Sequence, residues 1–417
     1  MLIEFAVENF RSFRERQVLS MVAEPRLKRK ENTFRPELDG EEFPRLLKAA
    51  AVYGPNASGK SNLVNALSSV HEMVRQAPSA TQGSLPVASF RFDSALASLP
   101  SRFELNFIRQ RQRYQFILAA TKSRIEEEKL VLVAKGRETL LYHRRVDDGR
   151  DVYQLGDTLE GGKQVHEAWK KLTAPTQLFL TQAVANSSAE LNQLRAPSEW
   201  LLNGIAFVND DILQGLSRVT QNMAQSSPEF QAELLEFIRD LDIPIDGMTF
   251  VPDQTTANDS ADFNSDYPLL ASRGTKPVLH HVTALGEARF ELNEESKGTQ
   301  SLFGFFTPWS VFQNAQVKWD ALIVDELDTS LHPNIVRELI RRHIAKDIPS
   351  QLIFTTHDTR LMDSKLLRRD QIWLTERDIN GATQLRSVHD FEGREGEDIE
   401  KRYYEGRYRA LPITRSK

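Results

Sequence analysis

Residues 54–61 read Gly54-Pro-Asn-Ala-Ser-Gly-Lys60-Ser61. The apolar run Ala49-Ala-Ala-Val-Tyr53 precedes them, and the spacing beyond predicts a helix from Gly59 to about Gln76, stopped by Pro78. Strand, glycine loop and helix in that order match G-x-x-x-x-G-K-[ST] in full. Such a loop turns its backbone N–H groups toward an anion, and the helix start adds its positive dipole end. Gly54 and Gly59 permit a backbone approach that a Cβ would block. Lys60 is placed to reach β- and γ-phosphates and the Ser61 hydroxyl to hold Mg²⁺. Asn56, Gly59 and Asn62 complete the expected nucleotide-contacting set. The plainer alternative is a glycine turn that merely starts a helix.

Working outward, Ile3, Phe5 and Val7 alternate with Glu4, Ala6 and Glu8, as in a half-buried strand that runs into Asn9-Phe10-Arg11-Ser12-Phe13. After a polar loop come β-like runs at 103–108, 114–119, 129–134 and 140–144, whose polar connections predict an antiparallel meander. Leu178-Phe-Leu-Thr-Gln182 reads as a short strand ending in Gln182, and residues 190–241 carry helical spacing broken by Pro197 and Pro228. The stretch 252–277, rich in Asp, Asn, Ser, Gly and Pro, predicts a mobile loop. A β-like run at 288–292 leads to Glu295-Ser-Lys-Gly-Thr-Gln300 and an apolar helix that Pro308 should bend. Ala321-Leu-Ile-Val-Asp325-Glu326 is a buried strand ending in two carboxylates, with Pro333 where a helix should start. Gln351 to His357 is another such strand, and runs at 371–375 and 384–388 close the sheet.

Composition narrows the class. The chain is 417 residues long, 40% hydrophobic and 27% charged, as expected for a globular protein of one composite core or two to three domains. It contains no Cys, which excludes disulfides, thiolate nucleophiles and Cys-ligated metals and fits a reducing cytoplasm. Its start resembles no signal peptide, and no run nears the ~18 apolar residues of a spanning helix, so no membrane association is expected. A net charge of −5 argues against a nucleic-acid coat while leaving room for a local basic groove.

Three strand ends thus carry polar chemistry: the loop at Gly54, Asp325-Glu326 and Thr356-His357, with Gln182 a fourth candidate. In open α/β sheets ligands bind at carboxyl ends of strands, so these groups are expected to converge on one nucleotide. Asp325 would bind Mg²⁺, Glu326 would orient and deprotonate water, His357 would touch the γ-phosphate, and Gln182 would sense metal and water.

These residues resemble the ABC-type ATPase heads of the structural-maintenance-of-chromosomes, Rad50 and RecF group. Asp328 stands at the D-loop position and His357 at the switch-histidine position. Glu295-Ser-Lys-Gly-Thr-Gln300 looks like a variant signature, with Ser296 and Gly298 matching. The resemblance implies that Ser296 and Gly298 cap the γ-phosphate of a second copy, and that Arg11 contacts phosphate. It implies an α/β ABC-ATPase head with a mixed central sheet, an antiparallel β subdomain and an inserted helical subdomain. The expected divisions are 1–182 and 295–390 as the two halves of the head, 183–294 as the insertion, and 391–417 as a basic aromatic tail.

The opening Met1-Leu-Ile-Glu-Phe-Ala-Val-Glu-Asn-Phe-Arg-Ser-Phe, the run Asp325-Glu-Leu-Asp-Thr-Ser-Leu-His-Pro333 and the ending Glu405-Gly-Arg-Tyr-Arg-Ala-Leu-Pro412 look more like stand-alone bacterial phage-defence ATPases, RloA-like or AbiL-type. That likeness implies ATP and Mg²⁺ as cofactors, a homodimer or higher homo-oligomer through an ATP sandwich, and a separately encoded, nuclease-like effector. The alternative function is a DNA-repair or DNA-end-binding ATPase of the RecF or Rad50 kind, with a transporter subunit third.

Other features carry two readings. His332-Pro333 reads as a helix-start turn. His280 and His281, adjacent in a strand, should face opposite ways rather than share a metal. Asp259, Asp262 and Asp266 lack calcium-loop spacing. The tail from Lys401, six basic residues against one acid with Tyr403, Tyr404 and Tyr408, could contact nucleic acid or form a helix whose tyrosines pack on the head.

Overall fold

The computed structural model describes residues 1–76, 83–252, 274–314, 319–394 and 396–408. The Asp259, Asp262 and Asp266 cluster, most of the expected 252–277 loop and the last nine residues of the tail lie outside them. The chain forms two compact units. One comprises Met1–Phe207, Lys318–Val324 and His343–Lys417, the other Val208–Val317 and Asp325–Arg342.

The first unit opens with β1 (Leu2–Glu8), β2 (Gln17–Ser20), the short pair β3 (Thr33–Phe34) and β4 (Leu46–Leu47), β5 (Ala49–Tyr53) and helix α1 (Lys60–Arg75). The expected meander follows as β6 (Ser101–Arg109), β7 (Gln112–Ala120), β8 (Ile125–Ala134), β9 (Arg137–Asp147) and β10 (Arg150–Leu155). These join β1 and β2 in a seven-stranded antiparallel sheet of order β10-β9-β8-β7-β6-β1-β2. Three of its turns are two-residue loops, Gln110-Arg111, Lys135-Gly136 and Asp148-Gly149, with positive φ at both positions. That geometry matches the right-handed strand twist and sets each register. Phe5, Phe103, Phe107, Phe116 and Tyr114 fill one core with Leu63 and Leu67 of α1.

Helices α2 (Gly162–Leu172), α3 (Phe179–Ala185) and α4 (Arg195–Asn203) lead to β11 (Ile205–Val208). Two sequence expectations are corrected here. Residues 179–182 are helical, not a strand, and Gln182 lies inside α3. A five-residue stretch with three apolar residues carries no period long enough to decide. What decides is Glu128 of β8, whose buried carboxylate accepts N–H bonds from Phe179 (2.6 Å) and Leu180 (2.9 Å) at the helix start. The second correction is β11, a strand within the stretch expected to be helical.

The second unit is built on α5 (Asp210–Ser226) and α6 (Pro228–Asp240), capped by Asn209 and Ser227, whose side chains accept N–H bonds from Ile212 and Phe230. A three-stranded antiparallel sheet follows: β12 (Gly247–Pro252), β13 (Thr275–Thr283) and β14 (Gly286–Glu291). Residues 275–277, expected to be loop, thus belong to β13. Helix α7 (Lys297–Gln313) carries Pro308 and packs on α5, where Gly304 admits the carbonyl of Leu213 within 2.4 Å of where a Cβ would stand.

The chain returns through β15 (Ala321–Val324), α8 (Pro333–Ala345), β16 (Gln351–Thr355), β17 (Ile372–Arg377), β18 (Thr383–Ser387) and α9 (Ile399–Tyr404). The six-stranded sheet β11-β15-β16-β5-β17-β18 runs β15, β16, β5 and β17 parallel, so their carboxyl ends share one edge. The fold is α/β with mixed sheets. Among the described residues no helix is long and apolar enough to cross a membrane.

Candidate functional site

In the first unit the loop of residues 54–59 leaves the carboxyl end of β5 and enters α1. Gly54 takes φ 155°, Ala57 62° and Gly59 110°. A Cβ on Gly54 would lie 2.3 Å from Thr375 Oγ1, and one on Gly59 2.1 Å from Thr383 Oγ1. Both glycines are therefore required by packing as well as by dihedral angle. Lys60 begins α1, and its buried Nζ donates to the carbonyls of Gly54 (2.9 Å) and Pro55 (3.2 Å), spanning the loop. Helix α1 carries no side-chain cap at its start. A glycine-bearing loop that opens an uncapped 16-residue helix fits a phosphate group. Asn56 is exposed and Ser61 and Asn62 are half-buried at this helix start.

A ring of hydroxyls braces the loop. Ser58 Oγ and Thr375 Oγ1 lie 2.5 Å apart, and Thr375 Oγ1 also donates to Tyr53 O at 3.1 Å. Thr383 Oγ1 sits 2.8 Å from Ser58 O and 2.7 Å from Ser12 Oγ, which also accepts from Asn62 Nδ2. Sequence reasoning missed Ser12, Thr375 and Thr383, because single hydroxyl residues in turns and strands carry no pattern.

The Asn9–Phe13 turn is compact. Phe10 and Phe13 are fully buried and exchange backbone bonds, while Asn9 Nδ2 reaches the carbonyls of Leu96, Leu99 and Pro100. Arg11, at φ 50°, is exposed, and its guanidinium carbon stands 5.5 Å from the Phe10 ring centre. Next to β5, β16 delivers the exposed His357, and the Thr356 N–H donates to Val52 O at 3.1 Å. His357 therefore leaves the same sheet edge as the glycine loop, one strand away. Gln182 does not lie at a strand end. It is buried in α3, and its Nε2 donates to Gln177 Oε1 at 2.9 Å.

In the second unit, Asp325 directly follows β15 in the chain, and its N–H donates to Val208 O at 2.9 Å. Glu326 adopts φ 55°, a left-handed conformation costly for a non-glycine residue. Its Oε2 accepts from Thr329 Oγ1 at 3.1 Å, and its carbonyl accepts the Thr329 N–H. Asp328 closes the same turn by accepting from Leu331 N–H. Ser296 is the N-cap of α7, its Oγ accepting from Thr299 N–H at 3.1 Å. A Cβ on Gly298 would lie 2.6 Å from Ser330 O, so the start of α7 rests directly on the turn that contains Asp328. The two motifs, some thirty residues apart, are thus brought together within this unit. His280 pairs with Thr249 (2.9 Å) and His281 with Glu295 (2.7 Å), so the adjacent histidines serve different neighbours.

Residues 49–363 match the family model described as "AAA domain, putative AbiEii toxin, Type IV TA system". The chain belongs to this family. The matched span opens on β5, ends just beyond His357 and covers about three quarters of the sequence. By family, this AbiEii-type chain is a nucleotide-binding ATPase of the AAA class. No curated protein matches it in sequence. Among solved structures it is similar to an SMC head domain from Thermotoga maritima, at 14% identity and TM-score 0.39, covering 93% of this chain and 98% of that one. It is also similar to an SMC head bound to the C-terminal winged-helix domain of ScpA, at 13% identity and TM-score 0.37, covering 93% and 97%.

Elsewhere in this AbiEii-type chain, α8 starts at Pro333 immediately after His332, as its sequence suggests. In the tail, Tyr403 and Tyr408 are buried while Tyr404 is exposed. The tail's described residues therefore form the packed helix rather than an open stacking surface.

Proposed function

We propose that this protein binds and hydrolyses ATP as an ABC-type ATPase of the Rad50/RecF-like group, and that the nucleotide switches its assembly state. The observation that carries the reading is the glycine loop feeding an uncapped α1, with His357 leaving the neighbouring strand of the same sheet edge. Lys60 would neutralise β- and γ-phosphate charge, and the first N–H groups of α1 would cradle the phosphates. Ser61 and Asp325 would hold Mg²⁺, which when bound screens the phosphate charge. Glu326 would orient and deprotonate the attacking water, and His357 would hold the γ-phosphate from the sheet edge. Asn56 within the loop, Asn62 just beyond it and Arg11 would add phosphate or ribose contacts. Gln182, buried within a helix, is left without a direct role. Ser296, Gly298 and Asp328 would serve the nucleotide of a second copy, which gives the ATP state a homodimer or higher assembly. A separately encoded, nuclease-like effector would then read that assembly in an anti-phage defence system. The family description, which names an AbiEii toxin and a Type IV TA system, supports a two-component reading.

The test is light scattering and steady-state ATPase on three proteins. Wild type should hydrolyse ATP. Lys60→Ala should lose ATP affinity, and Glu326→Gln should bind ATP, turn over at least about a hundredfold more slowly and persist as a dimer or larger species. Wild-type turnover in Glu326→Gln refutes the assigned base. Salt-sensitive DNA binding by the protein alone, with no ATP-dependent assembly, would instead support the repair reading.

A further inference from the structure

We propose that the C-terminal helix α9 is a positioning element for His357, gripping the loop beyond β16 through Thr359; this rests on the ATPase reading above. On the sheet side that loop is fixed, since Thr356 is fully buried and bonded to Val52. The Asp358 N–H donates to Thr356 Oγ1 at 3.0 Å. Asp358 Oδ1 accepts from Arg360 through the backbone N–H (3.2 Å) and Nε (2.8 Å). On the far side Thr359 Oγ1 donates to Glu400 Oε1 at 2.7 Å and lies 2.9 Å from Tyr404 Oη.

Helix α9 can act as a fixed support because its other face is anchored. Ile399 and Tyr403 are buried, Asp398 caps it by accepting from Lys401 N–H at 2.9 Å, and the buried Tyr408 ring meets Phe391 at 5.3 Å. Beyond Thr359 the buried Leu361 and Met362 anchor the loop in the core, whereas the Thr359 side chain itself is met by polar groups of α9. A cavity of about 330 Å³, bordered by Arg360, Met362, Asp363, Ser364 and Asp398, opens between the loop and the first turn of α9. The Tyr404 ring is mostly exposed, so apolar burial is not what places it. Its hydroxyl and the Glu400 carboxylate hold the Thr359 side chain, and so add a polar restraint between the buried Thr356 and Leu361 on the segment that carries the exposed His357. Displacing a group that contacts the reacting phosphate by an ångström costs turnover far more than affinity.

The experiment compares full-length Thr359→Val, Thr359→Ser and the double variant Glu400→Ala/Tyr404→Phe, each also in a His357→Ala background. ATP affinity is measured by binding, turnover by phosphate release, and loop order by hydrogen exchange over residues 355–361. Thr359→Val and the double variant should keep affinity within about twofold while kcat falls roughly five- to twentyfold, and Thr359→Ser should stay near wild type. With His357→Ala present, the same changes should cost nothing further. Unchanged kcat overturns the proposal, and so does an equal fold-loss with and without His357, which would mark a general loss of structure. If wild type hydrolyses no ATP, the ATPase reading fails by itself, and exchange then decides the grip. Faster exchange at 356–361 in Thr359→Val supports it, and an unchanged rate overturns it.

Discussion

Thr383 Oγ1 lies 2.8 Å from the carbonyl oxygen of Ser58, tying the first residue of β18 to the loop that precedes α1. The same hydroxyl reaches Ser12, so three distant segments meet on one side chain that is itself fully buried. Thr383→Val keeps the shape and removes the donor, leaving Ser58 O without this bond. The expected cost is about 1–3 kcal/mol of stability and a roughly tenfold loss of ATP affinity, with Thr383→Ser largely restoring both. Urea melts and nucleotide titrations check this.

Gly298 offers a second test, in the other unit. A methyl group there would stand 2.6 Å from Ser330 O, and since that atom is backbone, the turn from Asp325 to Ser330 must shift. Gly298→Ala should lower stability by about 1–3 kcal/mol. Turnover should fall sharply while ATP affinity stays near wild type, because Lys60 and its loop belong to the first unit. Equal losses of affinity and turnover would count against the assignment.

Glu128 and Arg144 test the support beneath α3. The Glu128 carboxylate accepts from Phe179, Leu180 and the Tyr142 hydroxyl (2.8 Å), and Arg144 donates to Gln177 O at 2.6 Å. Both side chains are almost wholly buried. Glu128→Ala strands a buried guanidinium and two helix-start N–H groups, so a loss of about 3–5 kcal/mol is expected by chemical denaturation.

The pH dependence should carry the mark of His343. Its imidazole is fully buried, Nε2 lies 2.8 Å from Lys48 O, and burial pushes its pKa from the ordinary 6.5 down to about 4. The folded chain therefore keeps it neutral where the unfolded chain takes up a proton. Its contribution is complete above pH 6.5 and drains away as pH falls toward 4, by roughly 3 kcal/mol. Urea midpoints recorded between these pH values should show the slope, and His343→Gln should flatten it.

Local chemistry made much of this legible before any coordinates. Gly54 to Ser61 announced its own loop because glycine, lysine and hydroxyl positions are dictated by short-range geometry. The strands at 321–324 and 351–355 were visible as short apolar runs. Gln182 was misplaced for the opposite reason. Five residues, Leu178 to Gln182, fit a strand and a helix equally, and the choice was made by Glu128, fifty residues earlier in the chain.

By itself, then, the sequence determined the glycine loop, the α/β class and the polar ends of the strands at 321–324 and 351–355, since each depends on neighbours a few residues away. Only the tertiary structure decided that Ser12, Thr375 and Thr383 brace that loop, that Gly298 rests on Ser330, and that Thr359 is held by Glu400 and Tyr404. Those contacts join residues tens to hundreds of positions apart. They exist only once burial has brought the segments together, and no local pattern encodes them.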